Sequence, residues 1–295
     1  MRVARLAHLT HRCVMDIAIY GTGAIGSALA FQLSKAGHRV TTIARGKRLE
    51  QLRATRAIVR VGGDRAAVEP AEKLDRAVPY DLLVVTVLAP QVPAILEDLK
   101  ASAAKQVMFM FNTFESLEPL KQAVGAHRFR FGFPMGIFGY LVEGVLQFQV
   151  NSGTTVDDPA WAKVLTEAGV PTVTSDDMQG WLRAHAALVI PMMAIGVKVL
   201  ARGAGITWAE ARLTAAAFDE GFDAVRAMGH RITPALVNVF AMLPRFITTP
   251  LFWAMSRMNM TRELGKLGDH EFKMLIDQIA KAWKPTPALT ALRPQ

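Results

Sequence analysis

The residues best suited to chemistry come early in the chain. Gly21-Thr22-Gly23-Ala24-Ile25-Gly26 follows a short apolar run, Asp16–Tyr20, and opens a helix-like run. Three glycines at this spacing between strand and helix suit a pyrophosphate. Gly21 permits the tight turn, Gly23 lets the backbone approach the ligand, and Gly26 lets the helix pack closely on the strand. Free N–H groups at the helix N-terminus then favour the anion. The segment Thr22, Ala24 and Ile25 share with these glycines is therefore a predicted dinucleotide site. The next strand decides which dinucleotide. Thr42-Ile43-Ala44-Arg45-Gly46-Lys47-Arg48 contains three cations and no acid. A carboxylate there would accept from a ribose 2′-hydroxyl, whereas a guanidinium binds a 2′-phosphate. Arg45 is the main candidate, with Lys47 or Arg48 assisting, and the expected cofactor is NADP, as NADPH.

These residues need a sheet to hold them. From Met15 to about residue 175 the chain alternates strand-like and helix-like runs, which predicts an α/β N-terminal domain with a mostly parallel sheet. Strands are expected at Asp16–Tyr20, Arg39–Ala44, Ala57–Val61, Asp81–Val87, Gln106–Phe111, Arg128–Phe133 and Val145–Val150, and helices at Ala24–Lys35, Gln91–Leu99 and Glu115–Val124. Beyond Asp176 and Asp177 the periodicity is helical, with breaks expected at Pro191, Gly203-Ala204-Gly205, Gly229, Pro234, Pro244 and Pro250. The division is therefore an extension at 1–14, an α/β domain at 15–176 and an all-α C-terminal domain at 177–295.

Composition narrows the class. The 295 residues are 51% hydrophobic and 20% charged, which argues against disorder, collagen and coiled coil. One cysteine excludes a disulfide framework, and no His/Cys cluster has zinc spacing, so no metal is expected and the compartment is expected to be reducing and cytoplasmic. The net charge of +9 suits an anionic ligand or surface. Its arginines are scattered without aromatic interleaving, which speaks against nucleic acid. Residues 1–14 hold Arg2, Arg5, Arg12 and Cys13 with no acid, and without them the charge falls to +6. Met15 is the expected translation start, a short basic arm being the alternative. The apolar stretches His185–Leu200 and Ala235–Ser256 are interrupted by prolines and charges and read as buried helices, although the second suits a bilayer surface.

With these motifs in place, the sequence from residue 15 to 295 resembles the ketopantoate reductase (2-dehydropantoate 2-reductase) family. The resemblance rests on Ile17–Gly26, Gly37-His38-Arg39-Val40 leading to Ala44-Arg45-Gly46, Asp81–Thr86 with Gln91, Asn112, Trp181, and Pro285-Thr286-Pro287 with Leu292. It implies a Rossmann domain plus a helical domain, an active site in the cleft between them, and NADPH-dependent reduction of a 2-oxo acid, as in pantothenate biosynthesis. It also implies that Gln91 lies near the cofactor and Asn112 near the nicotinamide ribose and substrate carbonyl.

The chain departs from the family pattern where the acid catalyst belongs. The usual lysine lies two residues after the tryptophan, with asparagines one and two helical turns on; here that register holds Arg183, Ala187 and Pro191. Leu88 stands for a further lysine, and Asn112-Thr113 for an Asn-Gly pair. A guanidinium orients carboxylates but is a poor proton donor. His185, on the same helix about 200° from Arg183, is a competent acid near neutral pH. Glu271, in Asp269-His270-Glu271, falls near the family's substrate-contacting glutamate, a surface charge being the plainer reading. The catalytic candidates are thus Arg183, His185, Asn112 and Glu271. His230 reads as a loop residue closing a helix. Phenylalanines 109, 111, 114, 129, 131 and 133 read as core, with Phe133-Pro134-Met135-Gly136 a candidate lining of the cleft.

The function expected is an NADPH-dependent oxidoreductase that reduces a 2-oxo acid or related carbonyl, with a changed, larger or more apolar substrate. A cofactor-binding regulator without turnover is the alternative from another class. A membrane-surface reductase is a third, drawn from the mean hydropathy of +0.23 and the pI near 9.9. By analogy the second domain pairs into a homodimer.

Overall fold

The computed structural model describes residues 13–265 and 270–293. The expectation for the basic extension falls almost wholly outside the described residues, as does Asp269. Twelve strands are described: β1 Asp16–Tyr20, β2 Arg39–Ile43, β3 Ala57–Val59, β4 Arg65–Ala67, β5 Glu69–Ala71, β6 Leu82–Val85, β7 Val107–Phe109, β8 Phe129–Pro134, β9 Ile137–Val142, β10 Val145–Val150, β11 Thr154–Val156 and β12 Thr172–Thr174. Eight of them form one sheet in the order β12-β11-β8-β7-β6-β1-β2-β5. Its pairs are parallel except β8 with β11. Central β6 is Leu82-Leu83-Val84-Val85, all buried, the continuous apolar run that a strand covered on both faces requires.

Helices α1 (Ala24–Lys35), α2 (Gly46–Thr55), α3 (Leu96–Ala101), α4 (Glu118–Val124) and α5 (Pro159–Glu167) accompany the sheet. One face buries Ile17, Ile19, Leu29, Leu82 and Trp161. The other buries Ala18, Leu83, Phe109 and Phe131 and reaches Trp181. Because β1 pairs with β2 on one side and β6 on the other, the chain changes direction at its C-terminal end, and a crevice opens there.

Three expectations about the α/β part are corrected. The run Ala57–Val61 does not join the main sheet; β3 pairs antiparallel with β4 in a separate two-stranded piece. The helix expected at Gln91–Leu99 divides into a 3-10 turn, Ala89–Ala94, and α3, because Pro90 and Pro93 each remove a backbone donor. The chain also forms a hairpin that sequence periodicity half revealed. β10 pairs with β9 through the turn Glu143-Gly144, where both residues have positive φ. On one face Leu146 and Phe148 are buried, and Phe148 meets Phe31 of α1 edge-on at 5.5 Å. The other face presents Phe138, Tyr140, Gln147 and Gln149.

After β12 the described structure is helical: α6 Met178–Arg202, α7 Trp208–Ala227, α8 Ala235–Ala241, α9 Arg245–Met255, α10 Asn259–Gly265, α11 His270–Ala282 and α12 Pro287–Leu292. The breaks expected at Pro191 and Pro250 do not occur, since both prolines lie inside helices, α6 and α9. An interior proline costs about 3 kcal/mol, and packing of α6 against α7, α10 and α11 outweighs it. α6 starts at Asp177, whose side chain accepts from the Gly180 N–H at 2.8 Å, and stops at left-handed Gly203. It is long and apolar enough to cross a membrane, yet more than half of its apolar window is buried inside the protein. α8 and α9 meet at 110°.

Candidate active site

The glycine turn is held from three sides. The Gly21 N–H donates to the Ile43 carbonyl (3.1 Å), the Thr22 hydroxyl to the same carbonyl (3.2 Å), and the Thr86 hydroxyl to the Gly21 carbonyl (2.5 Å). Gly21 has φ +99°, and a Cβ there would lie 2.7 Å from Val87. A Cβ on Gly26 would lie 2.1 Å from the Gly21 oxygen, so helix and turn are in direct contact. At Gly23, by contrast, a Cβ would meet nothing within 4 Å. Gly23 is the N-cap of α1, no side chain caps it, and no acid stands in the first turn, so the helix presents bare donors to open space.

That space is a cavity of about 540 Å³ lined by the glycine turn, Arg45, Lys47, Arg48, Gln91 and the hairpin turn Glu143-Gly144. Its cations are not equivalent. Arg48 donates to the carbonyls of Thr22 (3.2 Å) and Gly144 (3.0 Å) and to the Ser27 hydroxyl (3.0 Å), tying glycine turn, α1 and hairpin together. Lys47 pairs with Glu143 at 3.4 Å. Arg45 is exposed and, among the described residues, has no carboxylate partner. Gln91 uses its side-chain oxygen to accept from the Leu88 N–H at 3.1 Å. Bare helix donors, an open Gly23 and a spare guanidinium fit a nicotinamide dinucleotide.

Val87 lines this cavity and also a second one of about 490 Å³ beyond it. The second chamber brings together three of the four catalytic candidates: Asn112, His185 and Glu271. Asn112 follows β7, buried among apolar neighbours. Its side chain bonds Glu271 while its Oδ1 is buried without a partner, so the amide nitrogen is the donor. α11 carries Glu271 and docks along one face. Two turns on, the Gln278 oxygen accepts from the Phe114 N–H at 2.7 Å, and Lys281 lies 3.5 Å from Glu115. Burial pushes the Glu271 carboxyl upward, opposed by the Asn112 bond.

His185 stands on the chamber wall with Val189 and Met193, one turn apart along α6. Its ring stacks on Trp181 at 5.2 Å and 8°, and meets Phe133 at 4.4 Å. Burial pushes its pKa down to about 4, so the imidazole is neutral at pH 7.

Arg183 is the candidate that the structure does not bring to the chamber. Its Nε donates to the Phe114 carbonyl (3.1 Å), its Nη1 lies 2.7 Å from His230 Nε2, and it sits over the Phe114 ring. His230 Nδ1 in turn meets Asp177 at 3.0 Å. His230, read from sequence as a loop residue, is thus the middle of a chain Asp177–His230–Arg183–Phe114. The next two register positions are also elsewhere. Ala187 packs against Gly221 of α7, and Pro191 is buried in the helical core. Sequence reasoning missed Thr86, the β9 residues Ile137–Tyr140 and Leu264 as chamber lining, while Phe133, Pro134 and Met135 do line it. The four-residue spacing of His185, Val189 and Met193 was the available signal.

Known proteins place this arrangement. The family model "Ketopantoate reductase PanE/ApbA" matches residues 17–158. Curated proteins offer no match to the chain. Among solved structures, a PanE/ApbA family ketopantoate reductase from Ralstonia eutropha JMP134 superposes with TM-score 0.71 at 21% identity, covering 95% of this chain and 96% of the other. D-mandelate dehydrogenase with NADH and anilino(oxo)acetate gives TM-score 0.71 at 17% identity, with coverage of 95% and 96%. A probable 2-dehydropantoate 2-reductase from Bacillus subtilis gives 0.67 at 17%, with coverage of 94% and 97%. These likenesses establish the shared fold, an α/β domain with a mostly parallel sheet followed by a helical region. Residues 17–158 thus match the ketopantoate reductase PanE/ApbA family model, and over its length the chain has the fold of the ketopantoate reductases and of D-mandelate dehydrogenase.

Proposed function

We propose that the protein is an NADPH-dependent reductase of a 2-oxo acid or related carbonyl compound, working without the family's usual lysine. The observation that carries this reading is that the two cavities adjoin, with Val87 lining both. One offers helix donors and Arg45; the other offers the carboxyl–amide pair Glu271 and Asn112. The bound nicotinamide would supply the reducing equivalent to the carbonyl carbon. The protein's own residues supply the rest. The glycine turn and the α1 N-terminus bind the pyrophosphate, and Arg45 binds a 2′-phosphate. Gln91 lines the nucleotide cavity. Glu271, enclosed and held by Asn112, has its carboxyl pushed upward by burial and is the group placed to deliver a proton to the carbonyl oxygen as negative charge develops there. His185 is too strongly discharged to act as a cationic acid and walls the chamber with a neutral N–H. The D-mandelate dehydrogenase neighbour, seen with NADH and anilino(oxo)acetate, supports a nicotinamide cofactor and an oxo-type ligand in this fold.

The test is titration of NADPH and NADH by nucleotide fluorescence, with nucleotide oxidation followed against 2-oxo acids including ketopantoate. Tighter NADPH binding with carbonyl-dependent oxidation is expected; absence of nucleotide binding refutes the reading. A second reading, nucleotide binding without turnover, draws on the engagement of Arg183 away from the chamber, and predicts NADPH binding with no carbonyl reduced. We also propose the homodimer, for which the exposed Leu236 and Val239 of α8, Met242 just after it and Phe246 of α9 offer an apolar strip. Sedimentation velocity tests it, and vesicle cosedimentation tests the same strip against an anionic bilayer.

A further inference from the structure

The substrate chamber has an unusual balance of charge. Its walls are apolar side chains from four places: Phe111 after β7, Phe133 and Met135 around β8, Ile137 and Phe138 of β9, and Val189 and Met193 of α6. Among the described residues that line it there is no lysine or arginine. The one arginine expected to serve there, Arg183, faces the Phe114 carbonyl and His230 instead. His185 is neutral for want of solvent, and among the described residues the acidic group of the lining is Glu271. A carboxylate placed in this chamber would lose its water and meet no cation among the described lining residues. Both penalise an anion.

The chamber also continues past the reacting groups. A groove of about 720 Å³ lies between the outward face of the β9–β10 hairpin and α10, and it shares Phe138, Tyr140 and Leu264 with the chamber. Gln147 and Gln149 of the hairpin and Met260 of α10 extend it. Arg60 and Glu263 also line it, so the groove has charges of both signs. A volume this large beyond the site is not needed for a small acid.

We propose, building on the reductase reading, that the substrate is an uncharged carbonyl compound with a bulky apolar body. Its carbonyl lies by Asn112 and Glu271, and its body passes between Phe138, Tyr140 and Leu264 into the groove. Discrimination against carboxylates comes from an apolar wall with no cation among the described residues, and the preference for size comes from the groove. The reaction is balanced as carbonyl compound, NADPH and one proton giving alcohol and NADP⁺, the proton arriving through Glu271.

Matched pairs test this. Phenylglyoxylamide is compared with phenylglyoxylate, and 2-oxo amides of increasing chain length with the corresponding 2-oxo acids. Dissociation constants come from calorimetry on the NADPH-bound protein, and nucleotide oxidation is followed in parallel. Each amide is expected to bind at least about 30-fold tighter than its acid. Affinity in the amide series should rise roughly fourfold per methylene until the groove is filled. Val189→Arg, which sets a guanidinium on the chamber wall, should move the preference toward the acids. Tighter binding of the acids by the unmodified protein, or affinity that does not change with chain length, overturns the proposal. Strong binding of the long amides with no reduction of any compound leaves the proposal standing and overturns the reductase reading. Failure of every amide to bind overturns the proposal even where 2-oxo acids are reduced.

Discussion

Two glycines three residues apart should respond to the same substitution in opposite ways. At Gly23, φ is −68° and ψ is −162°, extended backbone that alanine adopts freely, and the added methyl meets nothing within 4 Å. Gly23→Ala should therefore leave the fold intact, and reduced freedom of the unfolded chain should add about 0.4–1 kcal/mol of stability. The methyl projects at the mouth of the α1 N-terminus, where a pyrophosphate must come close enough to accept from backbone N–H groups. Losing or lengthening one charge-assisted bond costs about 1.5–3 kcal/mol, which is roughly a 10- to 100-fold loss of nucleotide affinity. At Gly26 the methyl would lie 2.1 Å from the Gly21 oxygen and 2.5 Å from the Thr86 hydroxyl. Backbone oxygen cannot rotate away, so α1 or the turn must shift, at about 1–3 kcal/mol or more. Gly26→Ala should lose both stability and affinity. The assay pairs urea denaturation with NADPH fluorescence titration on the same preparations. Unchanged NADPH affinity in Gly23→Ala would refute the assignment of this turn as the pyrophosphate cradle. A lowered midpoint in that variant would refute the geometry of open space.

Three further outcomes are expected. Arg45→Glu replaces the free guanidinium by a carboxylate, and should shift the NADPH to NADH affinity ratio by about 100-fold or more toward NADH; an unchanged ratio removes Arg45 from the site. Asp157, whose Oδ2 accepts from the Phe131 N–H at 2.9 Å while its Oδ1 is buried without a partner, is pushed by burial up to about 6. Its folded pKa lies above its unfolded one, so the associated stability is full below about 3.8 and is lost as pH rises through about 6. Asp157→Asn imitates the protonated form and should raise stability by roughly 1–2 kcal/mol at pH 8, allowing for partial exposure, with little change at pH 3.5; thermal melts at both pH values decide. His230→Ala removes the partner of both Asp177 and Arg183, and should cost about 1–3 kcal/mol in urea denaturation; no loss would show that the chain through His230 does not hold α6.

The parts of this protein that sequence made legible are those decided locally. β1 and α1 occur at their expected bounds, because an apolar run followed by spaced glycines contains its own start and stop. Asn112, His185 and Glu271 were named from sequence, but nothing local could say which face of α6 meets the cleft. Arg183 and His185 point to opposite sides, and only the packing of Ala187 on Gly221 selects between them. The three-residue strands β4, β5, β11 and β12 are too short to leave a period, and β5 carries Pro70, tolerated because that strand is the edge of the sheet. Pro191 misled for the converse reason. A proline signals a stop only when the surrounding helix has no larger reason to continue, and α6 is buried along most of its length.

The hairpin has a consequence for how such a protein can change its diet. Among the described residues its strands pair with each other, and a single bridge from Arg60 to Leu146 is the only ladder contact it makes outside itself. The main sheet therefore does not read its register. Its inward side chains are bolted to α1, and its outward side chains, Phe138 and Tyr140 among them, form the wall of the substrate chamber. Substitutions on the outward side can reshape the chamber without moving a strand of the nucleotide-binding sheet. Because residues alternate in side along each strand, every second position is open to such change. The hairpin is in this sense an exchangeable cheek on a fixed jaw: the part that chooses what is bitten can drift while the part that holds the reductant stays as it is.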